Sequence, residues 1–109
     1  IALAQGAKIN VYTPANVVPA AEFSAEFVEL VGECIKAVVG PENYVSEIIT
    51  PGGEDFHYVA VNCPHVKCCY MGLGTGATPG MHNLNMHMDL TQLQKGADVF
   101  VKAVLKLLG

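Results

Sequence analysis

A chain of 109 residues, 51% of them hydrophobic, is long enough for one small domain with a packed core. Its net charge is −4, its basic residues are six scattered lysines (Lys8, Lys36, Lys67, Lys95, Lys102, Lys106), and it has no arginine, which excludes a basic nucleic-acid surface and any bidentate guanidinium site. No apolar run approaches the roughly 20 residues of a bilayer span, and the opening IALAQGAKIN has neither the basic start nor the apolar run of a signal peptide. A cytoplasmic protein with Cys34, Cys63, Cys68 and Cys69 reduced is the expectation. With no initiator Met, the sequence is also expected to begin inside a longer protein.

In chain order, Ile1 to Gln5 reads as the last turn of a helix stopped by Gly6. AKINVYTP alternates apolar and polar residues, the pattern of a half-buried strand closed by Pro14. ANVVPAAEF is a linker. Ser24 to Val39 is the clearest helix: Phe27, Leu30, Val31, Cys34, Ile35 and Val38 recur at three-and-four spacing, Ser24 is placed to cap the start, and Gly40-Pro41 stops it. NYVSEII predicts a short strand ended by Thr50-Pro51-Gly52-Gly53. A helix from about Glu54 to Val61 follows, its two first-turn acids suiting the positive end of the helix dipole. VKCCYMGLG predicts a buried strand. After a loop, Thr91-Gln92-Leu93-Gln94 fits a capping box for a last helix whose apolar face is Leu93, Ala97, Phe100, Val101, Val104 and Leu108. Helices alternating with strands predict an α/β layered fold.

Four stretches could carry chemistry. GLGTGA, Gly72 to Ala77, has the letters of a dinucleotide fingerprint, but Thr78-Pro79-Gly80 follows where a helix must begin, so the fingerprint is rejected. Cys63, His65, Cys68 and Cys69 offer thiolate and imidazole, yet no second ligand pair accompanies them, and buried, inert thiols are the better reading. In PGGEDFHY, two glycines let the backbone approach a ligand closely just before a helix start, although Glu54 and Asp55 read equally well as first-turn acids. TPGMHNLNMHMD carries His82 and His87 in a loop punctuated by proline and glycine. Five apart and outside a helix, they do not make a site by themselves.

GGEDFHYVAVNCP followed by YMGLGTGATPGMHNLNMHMDLTQLQKGADVF resembles the C-terminal end of the aminoacylase/carboxypeptidase-type amidohydrolases of metallopeptidase clan MH. The nearest branch is that of hippurate, indole-acetyl-amino-acid and aminobenzoyl-glutamate hydrolases. That branch commonly shows Gly-Ser-Glu-Asp-Phe, a strand ending Gly-x-Gly, and Leu-His-x-Pro-x-Phe-x-Phe-Asp. Here Gly53 stands where serine is usual, Gly72-Leu73-Gly74 matches the strand end, and Met81-His82 stands for Leu-His. Met86, Met88 and Asp89 take the Phe, Phe and Asp places; Leu84 replaces the proline and His87 stands where an acid is frequent. GAKINVYTPANVVPA resembles the last strand of an inserted lid domain.

The resemblance implies the C-terminal part of a zinc-peptidase-like, three-layer α/β catalytic domain over 19–109, preceded by the end of a lid (dimerisation) domain over 1–18. His82 would be the final ligand of a two-metal site holding zinc or manganese, and Gly52, Gly53 and Glu54 would lie beside the substrate. The remaining ligands and the general-base glutamate would lie in an N-terminal half outside this sequence. The metals would lower the pKa of a bridging water and polarise the amide carbonyl. The implied activity is hydrolysis of N-acyl amino acids or dipeptide-like substrates by a homodimer paired through its lid. This chain alone would be inactive and bind no metal stably. The alternative is a non-catalytic α/β interaction module.

Overall fold

The computed structural model describes residues 3–13, 17–20 and 22–109. Its centre is a pair of helices, α1 (Ala25–Val39) and α3 (Leu93–Leu108). α1 buries Val31, Gly32 and Cys34, with Leu30, Ile35 and Val38 half-buried around them, so the three-and-four stripe does face the interior. Ser24 sits at the cap position in extended backbone, and its side chain caps nothing. Instead its amide donates to the Cys68 carbonyl at 3.1 Å, which ties the start of α1 to the 66–74 segment. Gly40, at φ 86°, ends the helix, and Asn43 Nδ2 donates to the Val39 carbonyl at 2.7 Å, satisfying one of the acceptors a helix end leaves open.

α3 packs on α1 through Val99 and Ala103, which meet Cys34 in the small core; Met71 closes it from the side. Gly96 lies under Leu73, whose Cδ2 would be 3.0 Å from an added Cβ. This corrects the predicted face. Phe100, Val104 and Leu108 point outward, with Phe100 64% and Leu108 84% exposed. Val99 and Ala103 let the helix axes approach, whereas Phe100, one position on from Val99, would hold them apart. The start of α3 differs too: no side chain caps it directly, and Asp89, not Thr91, caps the 3-10 turn that leads into it. Its Oδ1 accepts from the Thr91 amide at 2.9 Å and its Oδ2 from Gln92 Nε2 at 2.8 Å, across a 3-10 turn at Leu90–Gln92.

The α/β expectation is overturned. Among the described residues there is no strand, only one isolated antiparallel bridge between Thr78 and His87. The runs read as strands at 7–13, 43–49 and 66–74 form no ladder. A strand owes its stability to neighbours that take up its backbone hydrogen bonds and cover one face, and alternation records only the readiness to pair. Val11 is 86% and Ile49 89% exposed. The reading of 1–6 as a helix end survives at Leu3–Gln5, a 3-10 turn followed by Gly6 at φ 67°. Ile1, Ala2, the strand-closing Pro14, and Ala15, Asn16 and Ala21 of the linker lie outside the described residues. The third helix, α2, is shorter than predicted, His57–Asn62, because Glu54 and Asp55 form the turn before it. The radius of gyration is 19.1 Å, against about 13 Å for a compact domain of this size.

Candidate functional site

His82 rides at the tip of a loop that the backbone closes tightly. Thr78 and His87 exchange both amide–carbonyl bonds at 3.0 Å, and the Asp89 amide donates to the Thr75 carbonyl at 2.9 Å. Inside the loop, the Asn83 side chain donates to the Gly80 carbonyl at 3.1 Å and the Met86 amide to the Asn83 carbonyl. These bonds hold His82 at φ 64°, the one positive φ at a non-glycine among the described residues. A side chain bearing Cβ adopts that conformation at a cost of about 1 kcal/mol, so the fold sets His82 where relaxed backbone would not. The ring is exposed and makes no hydrogen bond among the described residues. His87 is different: its Nδ1 lies 3.4 Å from the Asn85 carbonyl.

The second candidate, Gly52–Glu54, is held by three contacts. Thr50 Oγ1 accepts from the Gly52 amide at 3.2 Å. Gly53 lies against Val18, where a Cβ would come within 2.9 Å of Cγ1. The Glu54 carboxylate accepts from the Tyr70 hydroxyl at 3.1 Å. That bond, with some burial, holds the Tyr70 phenol above its ordinary pKa. Tyr70 also belongs to a cluster with Phe23, Phe56 and His57, ring centroids 5.9–6.5 Å apart. His57 Nδ1 lies 2.9 Å from the Pro19 carbonyl and Tyr58 donates to the Val17 carbonyl at 3.0 Å. Nothing in the local sequence marks His57, Tyr58 or Tyr70 as site residues. Their partners stand 38, 41 and 16 positions away, beyond any local spacing rule.

No hydrogen bond or ion pair among the described residues joins His82 to the Gly52–Glu54 loop. Nor do three or more His, Cys, Asp or Glu side chains gather there to hold a metal ion. His82 has the chemistry of a ligand, an exposed imidazole on constrained backbone, but the described residues supply no co-ligands, so by themselves they do not make a metal site. The cysteines are free thiols, Cys34 and Cys68 buried, and burial raises the Cys69 thiol's pKa. At GLGTGA no helix begins, and the next helical turn starts at Leu90. Two shallow hollows, one beside Glu22, Ala60 and Lys67 and one beside Ile35, Gly74 and Lys95, include neither candidate. Asp89, matched above to the family's motif acid, is engaged as a helix cap.

Residues 6–106 match a family model of metallopeptidases, a class of hydrolases that generally bind divalent metals. The chain belongs to peptidase family M20/M25/M40. No curated protein and no solved structure matches it. No helix among the described residues is long and apolar enough to cross a membrane.

Proposed function

We propose that this chain is the C-terminal portion of a metal-dependent amidohydrolase that cleaves the amide bond of N-acyl amino acids or dipeptide-like substrates. Residues 1–18 would end a lid domain and 19–109 would contribute to the catalytic domain. The observation that carries the reading is His82, an unengaged imidazole held at positive φ on a loop pinned by the Thr78–His87 bridge. Family membership supports it. His82 would be the single ligand donated by this stretch to a pair of zinc or manganese ions, with Gly52, Gly53 and Glu54 beside the substrate. An N-terminal half would supply the other ligands and the general base. The exposed apolar faces at Val11, Ile49 and Phe100 suit surfaces that further chain, or a second subunit, would cover.

The reading frame upstream of Ile1 tests this directly. A His-x-Asp or Cys-x-His pair followed by a Glu-Glu pair would complete the ligand set. A start codon immediately before Ile1 would sink the hydrolase reading in favour of a non-catalytic interaction module. In the protein encoded by the whole frame, His82→Ala should lower bound metal, counted by elemental analysis, and reduce hydrolysis by more than about 100-fold. Unchanged metal content would remove His82 from the ligand set.

A further inference from the structure

The contacts around residues 17–19 form one device. Two consecutive side chains at the start of α2, His57 and Tyr58, take the carbonyls of Pro19 and Val17, and the residue between those carbonyls, Val18, presses on Gly53. Two attachment points alone would leave the segment free to pivot about the line joining them. The third, at Val18, removes that freedom. Neither bond depends on a charge. A carbonyl only accepts, so His57 must carry its proton on Nδ1, as it does in one neutral tautomer and in the imidazolium. Tyr58 donates its hydroxyl proton.

Gly53 shows how tight the third contact is. A Cβ there would meet Val18 Cγ1 at 2.9 Å and Val18 Cβ at 3.0 Å. Valine is short and stiff about χ1, so it cannot swing aside as a long side chain would. A residue with a Cβ could not be seated at 53 without moving the 17–19 segment. Glycine at 53 and valine at 18 are therefore a matched pair. On its other side the loop is braced by the Phe23–Phe56–Tyr70 cluster and by the bond from Tyr70 to Glu54.

We propose that His57 and Tyr58 are positioning residues that clamp the 17–19 segment onto Gly53 and so hold the Gly52–Glu54 loop in one conformation for an amide substrate. The substrate half of this statement rests on the function proposed above. Because 18 and 19 flank the boundary assigned between lid and catalytic parts, the clamp also joins the lid's root to the substrate loop.

The test has a structural arm and a kinetic arm. In the protein encoded by the whole frame, Tyr58→Phe and His57→Phe keep an aromatic ring and remove only the polar contacts. Backbone order parameters at residues 17, 18 and 52–54, from 15N relaxation, should fall from about 0.85 toward 0.6 or lower. Unchanged values would overturn the clamp. Gly53→Ala should loosen the same residues, and adding Val18→Ala should restore them. Equal loosening with and without the second change would overturn the matched pair. In the full-frame enzyme, both phenylalanine variants should raise KM on the order of tenfold with kcat little changed. An active enzyme whose loop loosens with no change in KM would overturn the positioning role. A full-frame protein without amidase activity, whose loop still loosens, would sink the hydrolase reading and leave the clamp standing.

Discussion

Asp89 illustrates what one side chain can decide. Its carboxylate takes bonds from the Thr91 hydroxyl, Gln92 and the Thr91 amide, and these hold its carboxyl below the usual aspartate range. A carboxylate with a depressed folded pKa adds stability that is present above its unfolded value and lost as pH falls through the folded one. The 3-10 turn leading into α3 should therefore fray on acidification below the ordinary aspartate range, seen as loss of helical 13Cα shifts at residues 90–92. Asp89→Ala should produce the same fraying at neutral pH and lower the melting temperature. Tyr70 offers a second check with the opposite sign. Since Glu54 holds the phenol protonated, Glu54→Gln should move the Tyr70 titration to lower pH, followed by the ring 13C shift. No movement would mean the two side chains do not meet in solution.

At the scale of elements, α1 and α3 were legible because apolar residues recur at helical spacing in both and Gly40-Pro41 stops the first. The side of α3 that is buried was not legible. Its sequence is apolar around much of its circumference, and the interior goes to Gly96, Val99 and Ala103, a choice made by what packs against them, Leu73 on the first and α1 on the other two. Val99→Ala should cost on the order of 2 kcal/mol in denaturant unfolding, whereas Val104→Ala, half a turn away on the exposed side, should stay within about 0.5 kcal/mol. Comparable losses would mean that α3 is buried on both faces. The predicted strands failed for a related reason. Ile9, Val11 and Ile49 alternate correctly, but alternation cannot supply the partner on which a strand depends. For the candidate site, His82 and the double glycine could be read from neighbouring residues alone. The contacts of His57, Tyr58 and Tyr70 could not, because each reaches across the fold.

On the scale of the whole molecule, the dominant feature is openness. The chain extends 64 × 39 × 23 Å with Phe100, Val101, Leu105 and Leu108 exposed along one helix. Exposed apolar area of this kind drives association in water. The isolated chain should therefore sediment as species that grow with protein concentration, and Phe100→Glu with Leu108→Glu should shift it toward monomer. A concentration-independent monomer would show that these side chains find cover within the chain. If an N-terminal half is the natural cover, adding it in trans should suppress association as effectively as the two glutamates.

Cys34 is 1% exposed at the centre of the α1–α3 contact, with Leu30, Ile35, Val38 and Met71 packed around that core. A water-borne thiol reagent can reach its sulfur only when the two helices part. Cys63 and Cys69, each half-buried, need far less motion to react. The molecule thus carries its own stopwatch: the delay between the fast thiols and Cys34, told from the buried Cys68 by peptide mapping, records how often the helix pair opens with no residue changed.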